Sequence, residues 1–154
     1  MVFALDGQRY ALDLDRVQRS LRVVAITPLP AAPANVLGII DLGGTVIPVI
    51  NLRQRFHHPP RRLHLSDHLV IAKTRKRIVA LLVDETKGVI EVPAQSCSPA
   101  DGILPRLEFV EGAVKLDDGL VLIHDLDRLL SLEEEEAIDC ALRDATGVND
   151  EVDR

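Results

Sequence analysis

A chain of 154 residues with net charge −6 and only 3% aromatic residues has neither the basic surface nor the stacking side chains that nucleic-acid binding requires. Two cysteines, Cys97 and Cys140, cannot make a disulfide framework, and no apolar run approaches the roughly 18 residues of a membrane span. A chain of this length buries about 70% of its unfolded surface, so one reduced, cytoplasmic domain without direct membrane insertion is expected.

Val2 to Leu14 reads as a hairpin turning at Asp6-Gly7, after which Asp13 or Asp15 caps a turn of helix through Val17 and Gln18. Arg22 to Ile26 reads as a strand, and Pro28, Pro30 and Pro33 then enforce an extended path. The strongest hairpin signal follows in Val36 to Phe56. Gly43-Gly44 supplies the positive φ that a two-residue turn needs between Leu37–Leu42 and Thr45–Ile50. Both arms are apolar at nearly every position, which predicts burial on two faces. Pro48 donates no ladder hydrogen bond and marks an edge, bulge or corner, and Asn51 is placed to cap a short helix over LRQRF.

His57 to Asp67 is a polar connector broken by Pro59-Pro60. Next comes a hairpin from His68 to Val83 turning at Thr74 to Arg77, then Asp84 and Glu85, a bend at Gly88, a strand over Val89 to Val92, and a loop from Pro93 to Pro105. Shifting the chain by about 74 residues lays Gly38–Phe56 on Gly112–Leu130 without a gap, with Leu42 on Leu116 and Asn51 on Asp125. The chain is therefore two similar β halves, about 2–56 and 69–130. A C-terminal helix over about 132–145 starts at a Ser131/Glu134 capping box and ends at Gly147, leaving a flexible tail at 147–154.

No catalytic set emerges. His57, His58, His64, His68 and Asp67 offer zinc-ligand chemistry, and with it the alternative of a metal-dependent enzyme. Adjacent histidines in a proline-broken loop are poorly held, however, and a solvated connector is the plainer reading. Cys97 has no base beside it, and His124 at a strand end reads as a rim histidine. Lys73, Arg75, Lys76 and Arg77 suggest a second alternative, a small β-barrel that binds nucleic acid, and Arg53, Arg55, Arg61 and Arg62 form another basic cluster. Solvated faces explain both groups most simply.

The order VQ, TPLPAAPANVLGII, a tight turn, VIPVINLRQRF, LLVDETKGVIEV and EGAVKLDDGLVLIHDLDRLL resembles the CheW-like domain of bacterial chemosensory systems, from Val2 to about Leu142. The resemblance implies a mainly β fold of two intertwined five-stranded β-barrel lobes with a C-terminal α-helix, forming a single domain over 1–146. It also implies a non-catalytic scaffold without cofactor or metal, joining the cytoplasmic tip of chemoreceptors to the regulatory domain of a CheA-type histidine kinase. The receptor's helical hairpin lies in an apolar groove in such proteins, which here would involve Val17, Ile40, Leu42, Val83 and Val89. Two positions depart from the family pattern. Arg19 stands where an acidic residue is usual after VQ, and Gly43 stands where the central turn usually carries arginine.

Overall fold

The computed structural model describes residues 1–30, 32–56, 58–59, 62–89, 97–99, 110–116, 119–124, 126–128 and 132–146. The first hairpin is β1 (Val2–Leu5) and β2 (Gln8–Ala11), followed by a 3-10 turn at Leu14–Arg16 and β3 (Val17–Arg22). The central hairpin, β4 (Val36–Leu42) and β5 (Thr45–Asn51), runs into the short α1 (Leu52–Arg55). A third hairpin, β6 (His68–Lys73) and β7 (Ile78–Val83), leads to β8 (Glu85–Gly88) and β9 (Cys97–Pro99). The fourth, β10 (Val110–Leu116) and β11 (Gly119–His124), is followed by a 3-10 turn at Leu126–Arg128 and by α2 (Leu132–Thr146).

Two mostly antiparallel sheets result, ordered β8-β1-β2-β11-β10-β9 and β3-β6-β7-β5-β4. Each contains one parallel pair, and each draws strands from both halves of the chain. β5 of the first half lies beside β7 of the second, with Val49 opposite Ala80, while β11 of the second half lies beside β2 of the first, with Ile123 opposite Ala11. This is the intertwining that the resemblance implies. The internal repeat is also exact in its irregularities, because the register shift between Val36 and Gly38 recurs between Val110 and Gly112.

Ladder closure is absent where five-stranded barrels were expected. Among the described residues no ladder joins β8 to β9, and β3 and β4 are tied across only by the isolated Thr27–Ile39 bridge beyond the end of β3. Gly38 makes that bridge possible. A Cβ there would stand 2.1 Å from the Thr27 carbonyl oxygen.

The double-sided burial expected of the β4 and β5 arms holds only for Ile47–Ile50, since β4 alternates with Leu37 exposed and β5 opens on exposed Thr45 and Val46. The strands that are buried on both faces are served by two cores. On β6, Leu69 and Ile71 join Ile40, Ile47, Val49 and Ala80 in a cluster belonging to the five-stranded sheet. The alternate residues Val70 and Ala72 turn the other way, towards Phe3, Leu5, Tyr10, Leu81, Val83 and Leu122. Period-two alternation thus feeds both cores from one strand. Ile138 of α2 completes the second cluster. Beside it, buried Glu135 pairs with Arg77, which also binds Asp139, and Glu134 pairs with Arg55 at 2.6 Å.

Several local expectations are corrected. Val17 and Gln18 lie in β3, because Asp13 caps only Leu14–Arg16 by accepting from the Asp15 N–H before the chain joins β6. The strand expected over Arg22–Ile26 ends at Arg22. The proline segment turns instead of extending, with the Ala32 N–H donating to the Leu29 carbonyl and Val36 N–H to that of Pro33. Asn51 stands at the N-cap of α1 but makes no side-chain cap bond; its N–H donates to the Asn35 carbonyl at 2.7 Å. Pro48 sits one residue before pairing with β7 begins at Val49, so its missing donor breaks no bond to that strand. Glu85–Gly88, before the expected bend, is a strand paired with β1, and of the strand expected over Val89–Val92 only Val89 is described and lies outside any strand. Of the loop expected over Pro93–Pro105, Cys97–Pro99 is instead strand β9 and the rest lies outside the described residues, as do Ser131 and the tail at 147–154.

Candidate partner-docking site

A pocket of about 240 Å³ opens where the five-stranded sheet, the segment after β3, α1 and the connector meet. Ile26, Leu37, Leu63 and Leu82 supply its apolar lining, and Arg53 and Asp84 lie among its polar groups. Leu37 and Leu63 are exposed, so apolar surface continues outward from the opening.

Arg53, buried in α1, holds the polar wall together. Its two terminal nitrogens donate to the Asp6 carboxylate at 2.5 and 2.8 Å, one also reaches Asp84 Oδ2 at 2.8 Å, and the other the Pro59 carbonyl at 2.9 Å. Asp84 Oδ2 in turn accepts the Asp6 N–H at 2.8 Å. Asp6 caps the tip of the first hairpin, and Asp84 is the joint between β7 and β8. One guanidinium therefore fastens three elements through charge-assisted bonds. His58 extends this first clasp, with Nδ1 3.3 Å from Asp6 Oδ2 and Nε2 2.6 Å from the Tyr10 hydroxyl.

A second clasp forms at the opposite junction. Asp127, in the turn after β11, accepts from Arg16 at 2.7 and 3.2 Å and from the Arg75 backbone N–H at 2.8 Å, with Arg75 Nε at 3.2 Å.

Hydrogen bonds from Arg53 hold the Asp6 carboxyl below its usual range, aided by the Arg53 charge and His58 against some desolvation. For Asp127, burial pushes upward but is outweighed by hydrogen bonds and charge from Arg75 and Arg16, so it too is lowered. Depressed carboxyl values contribute stability that is present above the unfolded value and lost as pH falls through the folded one. Burial, helped by the Asp6 charge, pushes the Tyr10 hydroxyl up to about 12, so its contribution is lost as pH rises above about 10. The melting temperature should therefore stay level across neutral pH, fall below about pH 4 and fall again above about pH 10. Differential scanning calorimetry across a buffer series checks this; a level profile down to about pH 2 would show that neither clasp carboxylate is coupled to folding.

The residues expected to line a groove divide between surface and interior. Ile40 and Val83 are only 2% and 1% exposed, one in each core, so their side chains are out of reach of a partner in the folded protein. Val17 and Leu42 are half-buried against the same cores, on opposite sides of the five-stranded sheet. Arg19 is exposed on edge strand β3, Gly43 lies in an open turn at φ 63°, and Val89 is 53% exposed just past β8. These positions do not converge on a single groove. The apolar opening beside the five-stranded sheet is instead set by Ile26, Leu37, Leu63 and Leu82.

The basic clusters were expected to be solvated, but Arg53, Arg55 and Arg77 are all engaged in ion pairs. Among the described residues, no group of three His, Cys, Asp or Glu side chains is arranged to hold a metal ion. His57 and Arg61 lie outside the described residues, as do the side chains of Cys97 and His124.

The CheW-like domain family matches residues 1–134 of this chain. The chemotaxis protein CheW of Rhizobium meliloti (strain 1021) is 27% identical over 139 residues, covering 89% of this chain and 90% of that protein. Its counterpart from Bacillus subtilis (strain 168) is 29% identical over 135 residues, with 86% of each chain covered. The crystal structure of the scaffolding protein TtCheW from Thermoanaerobacter tengcongensis superposes with a TM-score of 0.78 at 32% identity, over 86% of this chain and 92% of that one.

Proposed function

This chain belongs to the CheW-like domain family, and on that premise we propose that it is a non-catalytic chemosensory scaffold joining the cytoplasmic tip of chemoreceptors to the regulatory domain of a CheA-type histidine kinase. The observation that carries this reading is the family match over 1–134, together with a fold shared with a scaffolding protein across most of both chains. No helix among the described residues is long and apolar enough to cross a membrane. A cytoplasmic location follows from the partners, and residues 1–146 act as one unit.

The pocket beside the five-stranded sheet is the receptor contact in this reading. Its exposed leucines present an apolar face to a helical hairpin, and the ion-paired wall gives it a fixed rim. The turn at Gly43 belongs to another edge. Relatives present an arginine there, which can make charge-assisted bonds worth on the order of 1.5 to 3 kcal/mol, roughly ten- to a hundred-fold in affinity. Glycine makes none. A Cβ at Gly43 would meet nothing within 4 Å, so Gly43→Arg costs only the roughly 1 kcal/mol of a left-handed non-glycine residue.

Calorimetric titration against a receptor-tip fragment and a CheA-type regulatory domain tests the proposal. Both should bind the natural protein. Leu63→Asp should weaken the receptor fragment at least about tenfold while leaving the kinase domain unaffected, and Gly43→Arg should tighten one partner with a stronger salt dependence. Absence of binding to either partner overturns the scaffold reading, and equal receptor affinity of the Leu63→Asp protein removes the pocket from it.

A further inference from the structure

Under the repeat, the two clasps occupy equivalent places with their charges inverted. Arg53 in α1 falls on Asp127 in the turn after β11, at the same 74-residue offset that superposes the hairpins before them. Their partners correspond as well. Val49 lies opposite Ala80 and Ile123 opposite Ala11, which makes Ala80 the counterpart of Ala11. Counting back from these along the two hairpins puts Asp6 and Arg75 at the same turn position. Leu5 pairs with Gln8 around one turn, while the Thr74 N–H donates to the Arg77 carbonyl at 2.8 Å around the other. Arg16 and Asp84 lie in the matching joints, from β2 to β3 and from β7 to β8, but one position out of step, because the pairing of β3 and β8 sets Val17 on Thr86 and so Arg16 on Glu85.

We propose that this opposed polarity selects which hairpin closes which sheet. The hairpins β4-β5 and β10-β11 share length, register shift and apolar character, so either could in principle lie beside β7 or beside β2. Backbone pairing does not tell them apart. The charges do. In the observed arrangement Arg53 meets Asp6 and Asp84, and Asp127 meets Arg75 and Arg16. If the hairpins changed places, Arg53 would face two arginines and Asp127 two aspartates. Each clasp thus favours the correct hairpin and repels the other, acting through the wrong state as much as the right one.

Disulfide trapping on refolding tests this in a Cys97→Ser/Cys140→Ser background. The Ala11→Cys/Ile123→Cys pair reports the observed placement of the second hairpin, and the Ala80→Cys/Ile123→Cys pair reports its placement beside β7. With the natural clasps, the first pair should cross-link at least tenfold more than the second. Arg53→Asp with Asp127→Arg should reverse that ratio. Arg53→Met with Asp127→Met, which removes both polarities while keeping bulk, should bring the two yields within about threefold and serves as the reading if the reversed chain does not fold. Cross-linking of the first pair alone in the Met variant, or in a reversed chain that folds, overturns the proposal.

Discussion

Val83→Asp is expected to unfold the protein, while Val89→Asp should change its stability by no more than about 0.5 kcal/mol. Both valines belong to the VDETKGV segment, and the resemblance assigns both to one groove, yet the structure gives them opposite surroundings. Val83 is 1% exposed and packs within the core shared by both sheets and α2. An aspartate there would be ionised with no cation facing it, or would take up a proton at a cost of several kcal/mol. A loss of about 4 to 5 kcal/mol or more exhausts the stability of a domain of this size. Val89 lies past the end of β8 with half its surface in water, and a charge there is solvated. Circular dichroism with urea titration separates the two. A folded Val83→Asp protein with near-natural stability would mean that the position is at the surface after all.

Gly38→Ala should cost about 3 to 4 kcal/mol, far beyond the usual price of a methyl group. The added Cβ would sit 2.1 Å from the Thr27 carbonyl oxygen and 2.8 Å from its carbon, and backbone cannot swing aside as a flexible side chain does. Relief requires Thr27 to move away from Ile39. That move breaks two hydrogen bonds of 2.8 and 2.9 Å, which are the link between the strap after β3 and strand β4. The control is Gly43→Ala, whose Cβ meets open space and whose cost is the roughly 1 kcal/mol of a left-handed alanine. Equal urea midpoints for the two variants would mean that the bridge does not constrain the sheet.

The hairpins were legible because their turns have local chemistry: Asp6-Gly7 and Gly43-Gly44 all take positive φ in the structure. The repeat was legible because apolar arms recur at a constant offset. Which strands those arms pair with was not, since a parallel ladder between β11 and β2 is made of backbone and leaves no mark on the side chains. Burial of Ile40 and Val83 was ambiguous for a related reason. In strands that are apolar at every position, periodicity cannot say which face meets which core. The clasps were hidden by sequence distance, with Arg53 47 residues from Asp6. One signal was available: the 74-residue alignment sets Arg53 on Asp127, and such an inversion between otherwise similar halves points to partners of opposite charge.

The exchange of strands has a consequence for how the chain emerges from a ribosome. The sheet that starts at β1 receives its central strand from β11, so residues 2–11 wait for residues 119–124 before their ladder can close. The first hairpin leaves the exit tunnel before β11 does and keeps an open edge until that strand follows. Closing a loop of more than a hundred residues adds only a slowly growing entropic cost, but the contact can form only once residues 119–124 are made. During that interval β2 exposes an unpaired edge that a second nascent chain could occupy. Growth of the polypeptide, rather than any late rearrangement of finished parts, therefore sets the earliest moment at which this fold can exist.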